Sequence, residues 1–284
     1  MSELEQTTAL EIRETRISFS EVGKGEPLLM LHGNPGSRKD FAEIINQNQS
    51  DNLPCRLIMP DRPGHNGSEE LLNETADPWL DIEVYAELID RRCNGSAWLF
   101  GYSMGCHIAA RLAMRFPNKI KGIIMAAPFL VPDKKSEKPS SVPELAKGAI
   151  LGTLLGIALP VLSQKRMQQH LENVFAPKAP SQEYIDTWLP RYTRFEALIA
   201  MMQDKNAMLK TMSEVKAGIK EIDCPVFAII GDKDAICSAD AQRSFISEAL
   251  PSATIRLLED AGHAIPLTHP AECLDIIRQA LHIS

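Results

Sequence analysis

Compact apolar runs alternate with longer stretches of helical periodicity along most of this chain. Ala97 to Phe100, Gly122 to Ala126 and Val226 to Ile230 are short and apolar, the pattern of strands buried on both faces of a parallel sheet. Ile17 to Val22, Pro27 to Leu31, Arg56 to Pro60 and Ala253 to Leu257 are further strand candidates. Between them, Arg38 to Gln47, Pro78 to Arg92, Met104 to Phe116, Ala239 to Ala249 and Pro270 to Leu281 carry helical patterns. Strands alternating with helices of this length build βαβ units. The expected fold class is therefore α/β, with a mostly parallel, doubly wound sheet.

The alternation stops between about Pro132 and Lys220. Four prolines (Pro128, Pro132, Pro139 and Pro143) punctuate the entry to this stretch. Gly148 to Leu162 contains no charged residue. Lys165 to Phe175 and Gln182 to Leu209 have helical patterns, and no strand stands out. The expectation is one α/β domain, residues 1–131 and 221–284, carrying a helical insertion at 132–220. The uncharged segment is too short to cross a bilayer comfortably and contains Pro160.

Composition narrows the function classes without naming one. The chain has 284 residues, 44% of them hydrophobic and 24% charged, ordinary values for a globular protein with a sizeable core. Its net charge of −7 argues against nucleic acid as partner, because neutralising phosphates needs a basic face. Six cysteines (Cys55, Cys93, Cys106, Cys224, Cys237 and Cys273) form no C-x-x-C pair and fit buried free thiols. Met1 to Glu5 has no basic segment leading into an apolar one, so the expected compartment is a reducing, cytoplasmic one.

Chemistry enters at Gly101-Tyr102-Ser103-Met104-Gly105, where an apolar strand runs through G-x-S-x-G straight into a helical pattern. That is the context of a nucleophile elbow: the turn is so tight that the serine is strained, and small flanking residues let neighbouring backbone pass. Ser103 would then stand at a helix N-terminus, whose dipole favours developing negative charge. A second strand ends in His32-Gly33-Asn34-Pro35-Gly36. Acyl transfer needs N–H donors aimed at the forming oxyanion, and the backbone amides of Asn34 and Met104 are placed to supply them. His32, at the strand end, suits bracing the loop better than proton transfer.

A serine hydroxyl needs a base that is itself oriented by a third group. The strand Val226 to Ile230 ends at Gly231-Asp232-Lys233-Asp234, and Gly262-His263 follows the last strand. Asp234, further out on its loop, is the expected acid and His263 the expected base. Asp232 fits a turn residue bonding local amides. Among the other histidines, His107 should pack behind the elbow and His65 lies in a Gly-rich loop near the pocket. His170, His269 and His282 fit surface or helix-end positions. No His/Cys/carboxylate group has metal-ligand spacing, and no G-x-G-x-x-G or Walker loop is present, so no metal or cofactor is implied.

From about Ile17 to the C-terminus the chain resembles the α/β-hydrolase superfamily, in its cap-domain branch. The resemblance rests on His32 to Gly36, on Asp61-Arg62-Pro63-Gly64-His65-Asn66-Gly67-Ser68, on Gly101 to Gly105, on Gly231 to Asp234 and on Gly262-His263. Asn66 stands where the family usually has glycine, a mild departure because asparagine tolerates left-handed backbone. The resemblance implies about eight strands, a helical cap over the site, a Ser103–His263–Asp234 triad and an Asn34/Met104 oxyanion hole. Haloalkane dehalogenases and epoxide hydrolases share the His-Gly-Asn-Pro run but use an aspartate nucleophile, so serine favours acyl-enzyme chemistry on a small-molecule ester. Lactonases and carbon–carbon bond hydrolases share these motifs, and a receptor with vestigial hydrolysis could keep them. The uncharged segment, with Leu151, Leu154, Leu155, Ile157 and Leu159, is expected to face a small-to-medium apolar acyl group, to pack the cap on the core, or to meet lipid.

Overall fold

A computed structural model describes residues 7–51, 53–69, 80–131 and 138–282. In chain order the elements are β1 (Thr8–Ile12), β2 (Thr15–Gly23), β3 (Glu26–Leu31), α1 (Ala42–Asp51), β4 (Cys55–Pro60), α2 (Leu80–Arg92), β5 (Ala97–Tyr102), α3 (Met104–Arg115) and β6 (Ile120–Ala126). Then follow α4 (Val142–Ala146), α5 (Ala149–Phe175), α6 (Gln182–Tyr192), α7 (Phe195–Gly218), β7 (Val226–Gly231), α8 (Ala239–Ala249), β8 (Thr254–Leu258), α9 (Ile265–Thr268) and α10 (Pro270–Ala280). Pro78 and Pro132, where the sequence pattern starts a helix and the insertion, lie outside the described residues.

The apolar runs become the middle of one eight-stranded sheet, ordered β1-β2-β4-β3-β5-β6-β7-β8. Every residue of β5 and β7 is buried, as strands covered on both faces must be. Alternate residues feed two separate layers. Leu29 and Leu31 of β3 face a core shared with α2, α3 and α8, while Leu28 and Met30 face Phe41, in the turn before α1, together with Ile44 of α1 and Ile276 and Ile277 of α10. Strands β3 to β8 run parallel, and β1 and β2 add antiparallel at one edge. Strand β1 escapes the sequence pattern. It is a five-residue edge strand, mostly exposed or half-buried, so it carries no continuous apolar run.

The parallel register brings the C-terminal ends of β3, β5, β7 and β8 to one edge of the sheet, and the loops leaving that edge hold the chemistry-bearing residues. Between β6 and β7 the described chain is helical. The uncharged segment and the Lys165 pattern turn out to be one 27-residue helix, α5, running through Pro160. The long Gln182 pattern is interrupted at Thr193 and Arg194, giving α6 and α7. Met167, Leu171, Trp188, Tyr192 and Leu198 give these helices an apolar cluster of their own. Met208 and Met212 of α7 meet Met104 of α3 in another. Among the described residues no helix is long and apolar enough to cross a membrane. All six cysteines are free thiols; five are buried and Cys224 is half-buried.

Candidate active site

Ser103 sits between β5 and α3 with φ 54° and ψ −115°, a left-handed backbone that an L side chain adopts at a cost of about 1–3 kcal/mol. The flanking glycines make that turn sterically possible. A Cβ on Gly101 would lie 2.6 Å from the Cys106 nitrogen, and one on Gly105 only 2.0 Å from the Leu31 carbonyl oxygen. The turn is further held by the Ser103 amide donating to the Ala126 carbonyl at 3.0 Å.

His263, in the loop after β8, places Nε2 2.8 Å from Ser103 Oγ and Nδ1 2.7 Å from Asp234 Oδ2. All three side chains are buried or nearly so. The second carboxylate oxygen is fixed independently: Asp234 Oδ1 accepts the backbone amides of Ile236 and Cys237, each at 2.8 Å. With Oδ1 so engaged, Oδ2 accepts Nδ1–H, which leaves Nε2 free to accept from the serine hydroxyl. The arrangement is a serine hydroxyl, a base in the tautomer able to take its proton, and a carboxylate fixing that tautomer.

The amide-bonding role expected of Asp232 therefore belongs to Asp234. Asp232 Oδ1 is buried with no hydrogen-bond partner among the described residues, and its own amide donates to the Leu258 carbonyl. Cys237 adds a sulfur to this corner, and ligand-capable atoms of Asp234, Cys237 and His263 lie within 4.8 Å of one another. Both ring nitrogens of His263 already have partners, so a metal here would have to displace them.

Ser103 and His263 open onto a cavity of about 610 Å³, within the range of ordinary small-molecule sites. Asn34 and Met104 line it too. The Met104 amide is the first N–H of α3, where no preceding helical carbonyl can accept it. The Asn34 side chain donates to the Met201 carbonyl of α7 at 2.9 Å. The opposite wall comes from the helices between β6 and β7; it is rich in methionine and leucine (Met167, Leu171, Leu198, Met201, Met202 and Met208), with Arg166 and Lys205 adding two cations. Thioether side chains adapt to differently shaped guests.

The structure moves several residues from where the sequence puts them. Of the uncharged segment, Leu151, Leu154 and Ile157 are exposed and Leu159 packs on the helices' own cluster; the cavity is lined instead by the second half of α5. His170, expected at the surface, is half-buried in that wall, and burial followed by the nearby His263 holds its pKa down to about 4. Its signal was in the sequence, since Met167, His170, Leu171 and Val174 follow helical spacing on one face. Asp40 also lines the cavity; burial pushes its carboxyl up to about 8, so it keeps its proton at neutral pH.

His65 turns away from the cavity to Asp204 of α7, with Nε2 2.6 Å from Oδ2. The same carboxylate oxygen accepts from Arg62 at 2.8 Å; burial pulls the Asp204 carboxyl up, but the Arg62 guanidinium and the contact with His65 outweigh it and hold the group below the usual carboxylate range. Asn66 takes φ 49° and donates to Asp61 at 3.0 Å, so the residue in the family's glycine position does adopt left-handed backbone. His32 is fully buried and braces the loop: its Nε2 accepts the Arg62 amide at 2.9 Å, which puts its proton on Nδ1, 2.9 Å from the Gly33 carbonyl. His269 and His282 lie at helix ends as expected.

His107 packs behind the elbow, its Nε2 2.8 Å from Thr211 Oγ1 of α7. Burial holds its pKa at about 3. The unfolded chain takes up this proton near pH 6.5 and the folded one refuses it, so stability falls as pH drops through that range, by about 1.4 kcal/mol per unit. Urea melts at about pH 7 and about pH 5 should show His107→Gln losing about 2 kcal/mol less on acidification than the unaltered protein. Equal losses would mean that His107 takes up its proton in the folded state as readily as in the unfolded one.

Residues 28–276 match the model of the Alpha/beta hydrolase family. The chain belongs to that family. As a member it is a hydrolase, and its eight-stranded sheet is the family's fold. It is 23% identical to a pimeloyl-[acyl-carrier protein] methyl ester esterase of Aeromonas salmonicida (strain A449), over 92% of this chain and 98% of that one. It is 25% identical to the protein PHYLLO, chloroplastic, of Arabidopsis thaliana, again over 92% of this chain, but spans only 16% of that relative's length. An epoxide hydrolase from Vigna radiata superposes with a TM-score of 0.75 at 17% identity, covering 99% of this chain and 98% of that one. At that identity the likeness is one of fold alone.

Proposed function

We propose that the protein is a serine hydrolase that cleaves a small-to-medium apolar carboxylic ester through an acyl-enzyme, with Ser103 as nucleophile, His263 as base and Asp234 as the orienting acid. The observation carrying this reading is the unbroken chain of contacts from Ser103 Oγ through His263 to Asp234. Ester-cleaving relatives such as the Aeromonas enzyme support it.

His263 Nε2 takes the hydroxyl proton as Ser103 Oγ attacks the carbonyl carbon, and Asp234 stabilises the imidazolium formed. The resulting oxyanion rests on the backbone amides of Asn34 and Met104. The imidazolium then gives its proton to the leaving alkoxide, and the alcohol departs. In the second half His263 takes a proton from a water that attacks the acyl carbon, and gives it to Ser103 Oγ as the acyl C–O bond breaks, which releases the carboxylic acid and restores the neutral histidine and the serine hydroxyl. No other reactant enters the balance.

In this reading residues 132–220 form a cap over a core of 1–131 and 221–284, and α5 to α7 supply the acyl pocket. The six free thiols support a reducing compartment such as the cytoplasm. A p-nitrophenyl ester series from acetate to octanoate tests the pocket. Each added methylene buried among the methionines contributes about 0.8 kcal/mol, so kcat/KM should rise about fourfold per methylene until the cavity is filled. A flat response across the series would sink the apolar-pocket assignment, and absence of turnover on every ester would sink the function.

A further inference from the structure

Leu145, Leu151, Leu154, Ile157, Val161 and Leu162 are exposed, Ile157 and Leu162 by 71% each; among the described residues only Leu257 is another large apolar side chain of this kind. Single exposed aliphatics are common, but a contiguous group of them marks an interaction surface. Spacings of three, three and four place Leu151, Leu154, Ile157 and Val161 on one side of α5, and Leu162 adjoins them. Leu159, on the other side, packs into the cluster formed with α6 and α7.

The charges around the stripe identify its occupant. Lys147 precedes it and Lys165 and Arg166 follow it, with no charged residue between Lys147 and Lys165. The one acid close by in sequence, Glu144, is paired with Lys147 at 3.2 Å. This cationic surround stands out in a chain of net charge −7. An apolar helix face rimmed by lysine and arginine suits a lipid surface bearing anionic headgroups. A second copy of the chain would bring the same cations against one another. The uncharged part of α5 is about 24 Å long at 1.5 Å per residue, shorter than the bilayer's hydrocarbon core of about 30 Å, so the helix suits lying along the surface rather than crossing it.

We propose that the first half of α5 docks the protein on an anionic lipid surface, with Leu151, Leu154, Ile157, Val161 and Leu162 entering the headgroup region and Lys147 and Lys165 contacting the phosphates. The surface adjoins the cavity: Ser163 and Arg166, the residues just beyond the stripe, line it, and Arg166 is exposed. A lipid-borne substrate would thus reach Ser103 without crossing open water. Docking itself does not depend on the ester chemistry proposed above.

Co-sedimentation of the full chain with phosphatidylcholine vesicles containing phosphatidylglycerol, against phosphatidylcholine vesicles alone, tests it. The unaltered protein should sediment with the anionic vesicles and be released by salt. Leu154→Ser/Ile157→Ser and Lys147→Glu/Lys165→Glu should each weaken binding by at least about tenfold. Both should keep the melting temperature and any turnover of a water-soluble short ester, since none of the four side chains lines the cavity. Absence of binding, or equal binding by all three proteins, overturns the proposal. So does sedimentation velocity in which the unaltered chain dimerises and Leu154→Ser/Ile157→Ser does not, which would make the occupant a second copy.

Discussion

Replacing Ser103 with alanine is expected to lower ester turnover by about 10⁶-fold, the scale on which loss of a serine nucleophile acts. The fold should be unaffected. Alanine keeps the Cβ, occupies the same left-handed backbone and loses only the hydroxyl that meets His263. The melting temperature should therefore stay within about 2 °C, corresponding to less than about 1 kcal/mol in a chain of this size. A fluorophosphonate probe, which bonds to an activated serine oxygen, should label the unaltered protein stoichiometrically and the variant not at all. Labelling that persists in Ser103→Ala would move the nucleophile elsewhere and overturn the assignment.

Asp234→Asn is expected to cost about 10⁴-fold in kcat with the fold intact, and the reason lies in the oxygen not facing the histidine. Asp234 Oδ1 accepts two backbone amides, so the asparagine carbonyl must stay there to satisfy them. Its NH₂ group is then forced to the Oδ2 position, facing His263 Nδ1. A donor at that place drives the histidine proton to Nε2, the nitrogen that must accept from Ser103. Asp232→Asn, two residues away, serves as the control. The carboxylate on His263 Nδ1 is that of Asp234, while Asp232 Oδ2 lies 3.7 Å from Lys233, and the variant should turn over within about threefold of the unaltered protein. Equal losses in the two variants would mean that Asp234 does not orient the base.

The sheet and the candidate triad were legible in the sequence because each rests on local signals. A strand buried on both faces is a short apolar run wherever it lies, and a strained strand-to-helix turn demands glycines at fixed offsets, as Gly101 and Gly105 supply. The helices between β6 and β7 were legible only as helical periodicity. Periodicity finds a helix but not which side of it another element will cover. Hence Leu154 and Ile157, apolar enough for any pocket, face outward, while His170 lines the cavity. The uncharged segment and the charged pattern after it differ in composition, yet one helix continues through both and through Pro160. Its opposite case is the Gln182 pattern, which Thr193 and Arg194 divide although the apolar spacing carries on. Strand β1 shows a different limit. An edge strand is specified by its partner's unpaired backbone groups, and those leave no trace in its own side chains.

The carboxylate of Asp204 has a mechanical consequence for the wall that contains it. Through Arg62 and His65 it fastens α7 to the loop after β4, and Asn34–Met201 and His107–Thr211 add two further ties along the same helix. The far end of α5 is clamped as well, where the Ala264 amide donates to Val174 and the Ala176 carbonyl occupies the space a Gly262 side chain would need. Swinging either of these parts outward would strip a buried charge or amide of its partner. The first half of α5 packs on its neighbouring helices through Leu159, which joins the apolar cluster shared with α6 and α7. The wall is thus pinned to the core along α7 and at the far end of α5, the parts that line the cavity, so the loops of the sheet edge set the cavity's shape.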